Sequence, residues 1–277
     1  MTVADVGFGP PVGTGTSTHP LSRALATRRP LVCGILNVTP DSFSDGGRFD
    51  SLQRAVEHGC TLAAEGADLI DIGGESTRPG SRPPTLGEEL DRVVPVVEAL
   101  VRHVPVPLSV DTSRPEVMRA AVAAGASMVN DVRALRSPGA RGAVAELGVP
   151  VCLMHMQRSP ETIPEDPRNR DVVAEVRTFL AERIVACLDA GIQQEHLVVH
   201  PGVGFGKTPA HDVALLASLD GLRSLGVPVM VGLSRKSVLG QLTGRTAQAP
   251  GGTGRRPHRP VFVSSAPASI ATLKDPS

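Results

Sequence analysis

Residues 107–131 read PLSVDTSRPEVMRAAVAAGASMVND, and this stretch contains the repeating unit that decides the fold. A short apolar run ends in Asp111, and a helical stretch follows it. Ser113 and Glu116 have the spacing of an N-cap and its N3 partner, and Gly125 is a typical helix stop. A second apolar run, Met128–Asp131, comes next. The order strand, helix, strand predicts two parallel strands joined by a crossover helix.

The same couplet recurs along most of the chain. Helical stretches separate seven strand-like runs at Leu31–Asn37, 68–73, 107–111, Met128–Asp131, 149–155, Leu197–His200 and 228–232. Runs that are apolar on both faces are typical of a parallel sheet covered by helices. An open doubly wound sheet and a (β/α)8 TIM barrel both satisfy this pattern. The length suits a barrel of about 250 residues, and no GxGxxG follows the first run, so we predict the α/β barrel.

Two further helices carry their own signals. Thr85 and Glu88 form a capping box for a helix with one apolar face, and Pro95 is expected to kink or break that helix. Apolar residues from Val172 to Leu188 recur at helical spacing and predict another helix.

Composition excludes several classes of function. Lys and Arg together number 28, as do Asp and Glu, so no basic excess points to nucleic acid or to an anionic membrane. Trp and Tyr are absent, no apolar run is long enough to span a bilayer, and no secretory signal is evident. The four cysteines are far apart and are expected to be buried thiols. We therefore expect a cytoplasmic protein that binds neither nucleic acid nor membrane.

Polar residues end nearly every strand-like run. In a parallel barrel these ends form one mouth, where active sites are built. Capping and turn formation explain such residues one at a time, but seven ends at one rim favour a site. The residues are Asn37, Asp71, Asp111, Asn130 with Asp131, His155, His200 and Ser234.

The loops at this rim are suited to an anion. Residues 37–47 and 73–80 are longer than usual for connections between a strand and a helix, and the second offers hydroxyls and a guanidinium. The basic stretch 234–237 follows the seventh run, near where barrels commonly hold phosphate. Asn37 and nearby carboxylates have the oxygen ligands that Mg²⁺ prefers.

These motifs resemble the dihydropteroate synthase family. The resemblance runs from Leu31 to about Gln248 and rests on long stretches in the family's order: GILNVTPDSFSDGG (34–47), DIGGESTRPG (71–80), SVDTSRPEV (109–117), VNDVRAL (129–135), VCLMHM (151–156), HPGVGFGK (200–207) and VGLSRKSVLG (231–240). It implies a transferase of folate biosynthesis. The expected reaction condenses 6-hydroxymethyl-7,8-dihydropterin pyrophosphate with p-aminobenzoate to give 7,8-dihydropteroate and pyrophosphate, with sulfonamides as competitors and a homodimer as the assembly.

The resemblance also implies residue roles. Asn37 would coordinate Mg²⁺ on the pyrophosphate, and Thr77 and Arg78 would lie beside the reacting methylene. The pterin would lie among Asp111, Asn130, Met154, His200 and Lys236. The p-aminobenzoate cleft would be formed by Phe205, Ser234 and Lys236, with Pro79 and Phe43 closing over it, and Arg235 would also bind substrate.

Two departures from the family pattern leave alternatives open. His200 stands where the family has Asp, and this exchange predicts weaker pterin binding. Residues 249–277, rich in Pro, Gly and Arg, replace the last helix and an R-x-H strand; a shifted reading frame is one hypothesis for this tail, and 261–264 could form a short strand. We divide the chain into a leader (1–30), a barrel domain (31–248) and this tail. The alternatives are an impaired or non-catalytic pterin-binding protein, or a methyltetrahydrofolate-type methyltransferase.

Overall fold

A computed structural model describes residues 30–39, 48–76, 82–156, 171–233 and 260–264. Nearly all of the predicted leader and most of the predicted tail lie outside these ranges, so the predicted domain boundaries stay predictions.

The strands close into a barrel in chain order. Seven are parallel: β1 (Leu31–Asn37), β2 (Leu69–Gly73), β3 (Leu108–Asp111), β4 (Met128–Asp131), β5 (Val151–Met154), β6 (Leu197–His200) and β7 (Val229–Gly232). The α/β barrel prediction is therefore confirmed, with three strands one residue shorter than predicted and β5 three residues shorter.

The eighth strand departs from the regular fold. β8 (Pro260–Ser264) lies in the gap between β7 and β1 and is antiparallel to both. The short strand considered for 261–264 is thus present, and it supplies backbone pairing to two strands that would otherwise be edges. Its direction is reversed relative to a regular (β/α)8 barrel.

Helices cover the barrel. They are α1 (Arg48–Ala64), α2 (Leu86–Leu100), α3 (Pro115–Ala123), α4 (Ala140–Leu147), α5 (Val172–Asp189), α6 (Pro209–Ala217) and α7 (Leu219–Arg223). Among the described residues, no helix is long and apolar enough to cross a membrane.

The predicted helix signals have different outcomes. Thr85 and Glu88 form the predicted capping box, and α2 continues through Pro95, so of the two predicted effects of Pro95, a kink or a break, the break does not occur. Ser113 is not the N-cap of α3: the cap position is Arg114, Pro115 starts the helix, and the Ser113 hydroxyl donates to Asp131 instead.

Two apolar layers stabilise the barrel. One lies between the strands and the helices. The other fills the bore and consists of Leu31, Cys33, Leu69, Met128, Cys152, Val198 and Met230. Three of the four cysteines are buried as predicted, Cys60 is half-buried, and all four are free thiols.

The capping box at α2 predicts a measurable contribution to stability. Thr85→Ala removes the side chain that accepts from the Glu88 N–H, so the free energy of unfolding should fall by about 1 kcal/mol. Denaturant unfolding measures this change. Thr178→Ala, at an exposed position inside α5, is the control and should not destabilise, because Ala is the best helix former. Equal losses in both variants would contradict the capping role.

Candidate active site

The bore becomes polar toward the carboxyl ends of the strands. Side chains alternate along a strand, so a residue two positions after a bore residue also points into the bore. The residues in this position are Asp71, Asn130, Met154 and His200, which follow Leu69, Met128, Cys152 and Val198. Alternation along consecutive strands thus brings four of the predicted mouth residues into the same space.

Strand register adds Asn37 and Asp111 to this level. Asn37 pairs with Gly73, Gly73 with Asp111, and Asp111 with Asn130. β1, β3 and β4 therefore present Asn37, Asp111 and Asn130 at one height of the barrel, and Gly73 of β2 lies at the same height.

A hydrogen bond joins two of these residues across the bore. The Asn130 amide donates through Nδ2 to Asp71 Oδ2 at 2.9 Å, although β3 lies between their strands. The other oxygens, Asp71 Oδ1 and Asn130 Oδ1, are buried and accept no hydrogen bond of good geometry from the residues that the structure describes. Buried acceptors without partners are costly, so this pocket favours a ligand that brings N–H or O–H donors.

Burial also affects the charges of the carboxyl groups. Loss of hydration raises the pKa of Asp71, and burial followed by the nearby Asp71 carboxylate raises the pKa of Asp111 well above its usual value. Both shifts show that burial deprives these carboxylates of hydration, and N–H donors of a bound ligand would replace the hydrogen bonds that water no longer provides.

An opening beside Gly73 has the chemistry of a magnesium site. A Cβ atom added at Gly73 would lie 3.6 Å from Asn37 Oδ1 and 3.8 Å from Asp111 Oδ2. Glycine thus leaves space between an amide oxygen and a carboxylate oxygen, which are ligands that Mg²⁺ accepts. No group of three or more His, Cys, Asp or Glu side chains able to hold a metal occurs in the described ranges, and Mg²⁺ commonly takes only one or two protein ligands.

His200 is held by the backbone of two strands' ends. The Gly202 N–H points at its Nδ1 at 2.7 Å, and the Gly232 N–H points at its Nε2 at 3.2 Å. A neutral imidazole has a lone pair on only one ring nitrogen, so it satisfies one of these donors at a time. The ring lies edge-on to Phe205, with 6.4 Å between centroids. Two acceptor oxygens would suit this pair of donors better than an imidazole does.

Two residues of the predicted rim are structural. The Asp131 carboxylate accepts from the Ser113 hydroxyl and from the N–H groups of Arg133 and Leu135, so it shapes the turn after β4. The His155 ring packs edge-on against Phe179 of α5, outside the bore. Neither side chain belongs to the mouth.

A buried ion pair that the sequence pattern did not predict supports the second loop. Glu89 of α2 is fully buried, accepts from the Thr112 hydroxyl, and lies 3.3 Å from Arg114 Nε. Arg114 also donates to the Pro84 carbonyl, and Arg92 donates to the Gly74 carbonyl at 3.1 Å. Both ends of the loop that contains 77–81 are thus tied to α2 and its neighbours.

Several predicted site residues lie outside the described residues. They are Thr77, Arg78, Ser234, Arg235 and Lys236, together with the loop residues Phe43 and Pro79.

Comparisons with known proteins agree with this geometry. A family model described as "Pterin binding enzyme" matches residues 33–271. A dihydropteroate synthase of Escherichia coli K12 is 52% identical over 219 residues, which are 79% of this chain and 78% of that protein.

Solved structures give the same result. The dihydropteroate synthase of Xanthomonas albilineans with 4-aminobenzoic acid has a TM-score of 0.73 and 59% identity, covering 80% of this chain and 81% of that one. The same protein in complex with 7,8-dihydropteroate has a TM-score of 0.70 and 57% identity, covering 80% of each chain.

The raised pKa of the Asp71 carboxyl predicts a pH-dependent effect of its removal. A group whose pKa is raised by folding contributes stability below its unfolded pKa, and this contribution is lost as the pH rises toward the folded pKa. Asp71→Asn removes the buried charge, so its melting temperature relative to the unmodified protein should increase as the pH rises above about 4.

Thermal unfolding over a pH series measures this difference. Asp220→Asn, whose carboxylate is 80% exposed, is the matched control and should show no such trend. If the difference in melting temperature between Asp71→Asn and the unmodified protein does not change with pH, burial does not raise the pKa of the Asp71 carboxyl.

Proposed function

Because the chain belongs to the dihydropteroate synthase family, a family of transferases that condense 6-hydroxymethyl-7,8-dihydropterin pyrophosphate with p-aminobenzoate, we propose that Asp71, Asp111 and Asn130 form its pterin pocket. The observation that carries this proposal is the pair of buried acceptors, Asp71 Oδ1 and Asn130 Oδ1, to which no described residue donates a hydrogen bond of good geometry. The amino and ring N–H groups of a pterin are donors of the required kind.

The pyrophosphate end of the substrate would lie toward Asn37. Asn37 Oδ1, beside the opening at Gly73, would hold Mg²⁺ together with substrate oxygens. When bound, Mg²⁺ neutralises charge on the departing pyrophosphate. Thr77, Arg78 and Lys236 are proposed as the other catalytic residues, on the family resemblance.

The remaining side chains would bind the two substrates. Met154 follows the bore residue Cys152 and would pack against the pterin ring. Phe205 is proposed to line the p-aminobenzoate cleft with Ser234 and Lys236, where sulfonamides would compete, and Arg235 is proposed as a further substrate-binding residue. His200 would border both sites.

The reaction needs binding groups more than a strong base. Loss of pyrophosphate first would leave positive charge that the electron-rich dihydropterin delocalises. The neutral arylamine of p-aminobenzoate would then attack. The chain's part is to orient the two substrates and to stabilise the charges that develop.

One observation favours a second candidate, an impaired pterin-binding protein. The imidazole of His200 already faces two backbone donors, so it has less accepting capacity for the ligand than a carboxylate would have. No contact described above specifically favours a methyltransferase.

Assembly and location are also proposals. Val185 and Leu188 of α5 and Val213 of α6 are exposed apolar residues, which suits an interface in a homodimer. The free thiols suit a reducing compartment such as the cytoplasm.

A turnover assay tests the function directly. The protein is incubated with the pterin pyrophosphate, p-aminobenzoate and Mg²⁺, and dihydropteroate is measured. We expect product that is lost on chelation of Mg²⁺ and reduced at least about tenfold in Asn130→Leu, which removes a pocket acceptor and the bond to Asp71. Asp220→Asn is the surface control. Pterin binding without product would favour the impaired protein, and neither binding nor product would contradict the proposal.

His200→Asp should strengthen pterin binding. A carboxylate can accept the Gly202 N–H with one oxygen and offer the other to the ligand. A charge-assisted hydrogen bond contributes about 1.5–3 kcal/mol, which corresponds to roughly ten- to hundredfold in affinity.

Calorimetry with a pterin measures this gain. His200→Asn is the matched control, because Asn has the same shape as Asp without its charge. The gain in pterin affinity should be smaller in this variant. Equal or weaker binding by the Asp variant would mean that residue 200 does not contribute to the pterin pocket.

A further inference from the structure

Lys207 contacts the backbone of a glycine-rich loop beside the mouth of the barrel. The loop runs from His200 to Thr208, between β6 and α6, and Gly202, Gly204 and Gly206 all have positive φ, at 68°, 74° and 65°. Alternating left-handed residues prevent ladder or helix hydrogen bonds, so side chains must satisfy much of this backbone.

The Lys207 ammonium meets three carbonyl oxygens. Its Nζ lies 2.8 Å from Gly202 O, 3.3 Å from His155 O and 3.4 Å from Phe205 O. An ammonium has three N–H donors and no acceptor, so these contacts match its full capacity. Two of the carbonyls belong to the loop, and the third belongs to the residue after β5.

The loop and the end of β5 touch through their backbones. A Cβ atom added at Gly202 would lie 1.8 Å from His155 O, so only glycine fits there. Carbonyl oxygens brought this close to one point repel one another, and a cation between them removes the repulsion. Asp212 of α6 accepts from the Gly204 N–H at 2.8 Å and fixes the opposite side of the loop.

Phe205 is the residue that this arrangement positions. Phe205 lies between Gly204 and Gly206 in the chain. Its carbonyl accepts from Lys207 Nζ, and its ring lies edge-on to the His200 ring. Its main-chain N–H donates to Gly202 O at 3.1 Å, the same oxygen that Lys207 contacts.

We infer that Lys207 is a positioning residue for the binding of p-aminobenzoate. By clamping the loop onto the end of β5, Lys207 holds Phe205 at the wall of the arylamine cleft. This inference rests on the proposed function, because the cleft at Phe205 is part of that proposal. Lys207 itself is not expected to touch either substrate.

The clamp should respond to pH. Burial lowers the pKa of Lys207 to about 8, and the carboxylates of Asp212 on α6 and Glu175 on α5 oppose this shift. His155 also faces the ammonium from β5, and burial lowers its pKa to about 4, so it stays neutral near the pKa of Lys207. Above about pH 8 the amine loses one donor and its charge, and the loop should loosen.

Steady-state kinetics and hydrogen exchange on the full chain test the inference. In Lys207→Met, KM for p-aminobenzoate should rise roughly tenfold while KM for the pterin pyrophosphate changes less than about twofold. Amides of residues 202–206 should exchange at least about tenfold faster. Arg177→Met, which removes an exposed cation from α5, is the matched control and should change neither.

The pH dependence of the unmodified protein is a second test, and it does not require the Lys207→Met variant to fold. Its KM for p-aminobenzoate should rise above about pH 8, a range in which p-aminobenzoate does not titrate. Lys207→Arg, which keeps its charge at this pH, should remove that rise.

The outcomes separate the two proposals. Absence of turnover in the unmodified protein, together with faster exchange of 202–206 in Lys207→Met, would overturn the proposed function and leave the clamp intact. Equal increases in both KM values, or unchanged exchange in a folded Lys207→Met protein, would overturn the positioning role.

Discussion

The hydrogen bond from Asn130 to Asp71 crosses the bore of the barrel, and the chemistry of the site depends on it. It fixes the orientation of the Asn130 amide and leaves one oxygen on each partner buried without a well-placed donor among the described residues. Closure of the barrel makes this possible, because residues 59 positions apart in the chain meet only when β2 and β4 curve around the same axis. An acceptor-rich pocket above an apolar bore is the result.

The opposite side of the mouth is built on backbone contacts. Gly202 lies directly against His155, and the His200 ring fills the space between the loop and the end of β7. The side chains that satisfy these backbones are themselves buried or half-buried, which gives a pocket that needs little rearrangement before a ligand binds. His200 is the exception, because its imidazole cannot accept both donors that face it at once.

Much of the fold could be predicted from the sequence because short apolar runs alternate regularly with helical stretches. The placement of Asp111, Asn130 and His200 at strand ends followed from that alternation. The direction of β8 did not, since five residues contain no signal for parallel or antiparallel pairing. Glu89 was also missed: a glutamate in the first turn of a helix is usually solvated, and only tertiary packing buries it. Lys207 ends the motif at 200–207, but its role depends on a contact with the carbonyl of His155. That residue is 52 positions away in the chain, so the contact could not be predicted from the sequence.

The central claim is that the buried acceptors of Asp71 and Asn130 select a ligand rich in N–H donors. The most direct measurement compares, by calorimetry, a pterin with the matching lumazine, in which a carbonyl oxygen replaces the 2-amino group. In the lumazine, the buried acceptor oxygen of the pocket loses the N–H donor of the 2-amino group and faces a carbonyl oxygen. This change should cost about 3 kcal/mol, or roughly a hundredfold in affinity. The pterin should therefore bind about a hundredfold more tightly than the lumazine. Equal affinities of the two ligands would contradict it.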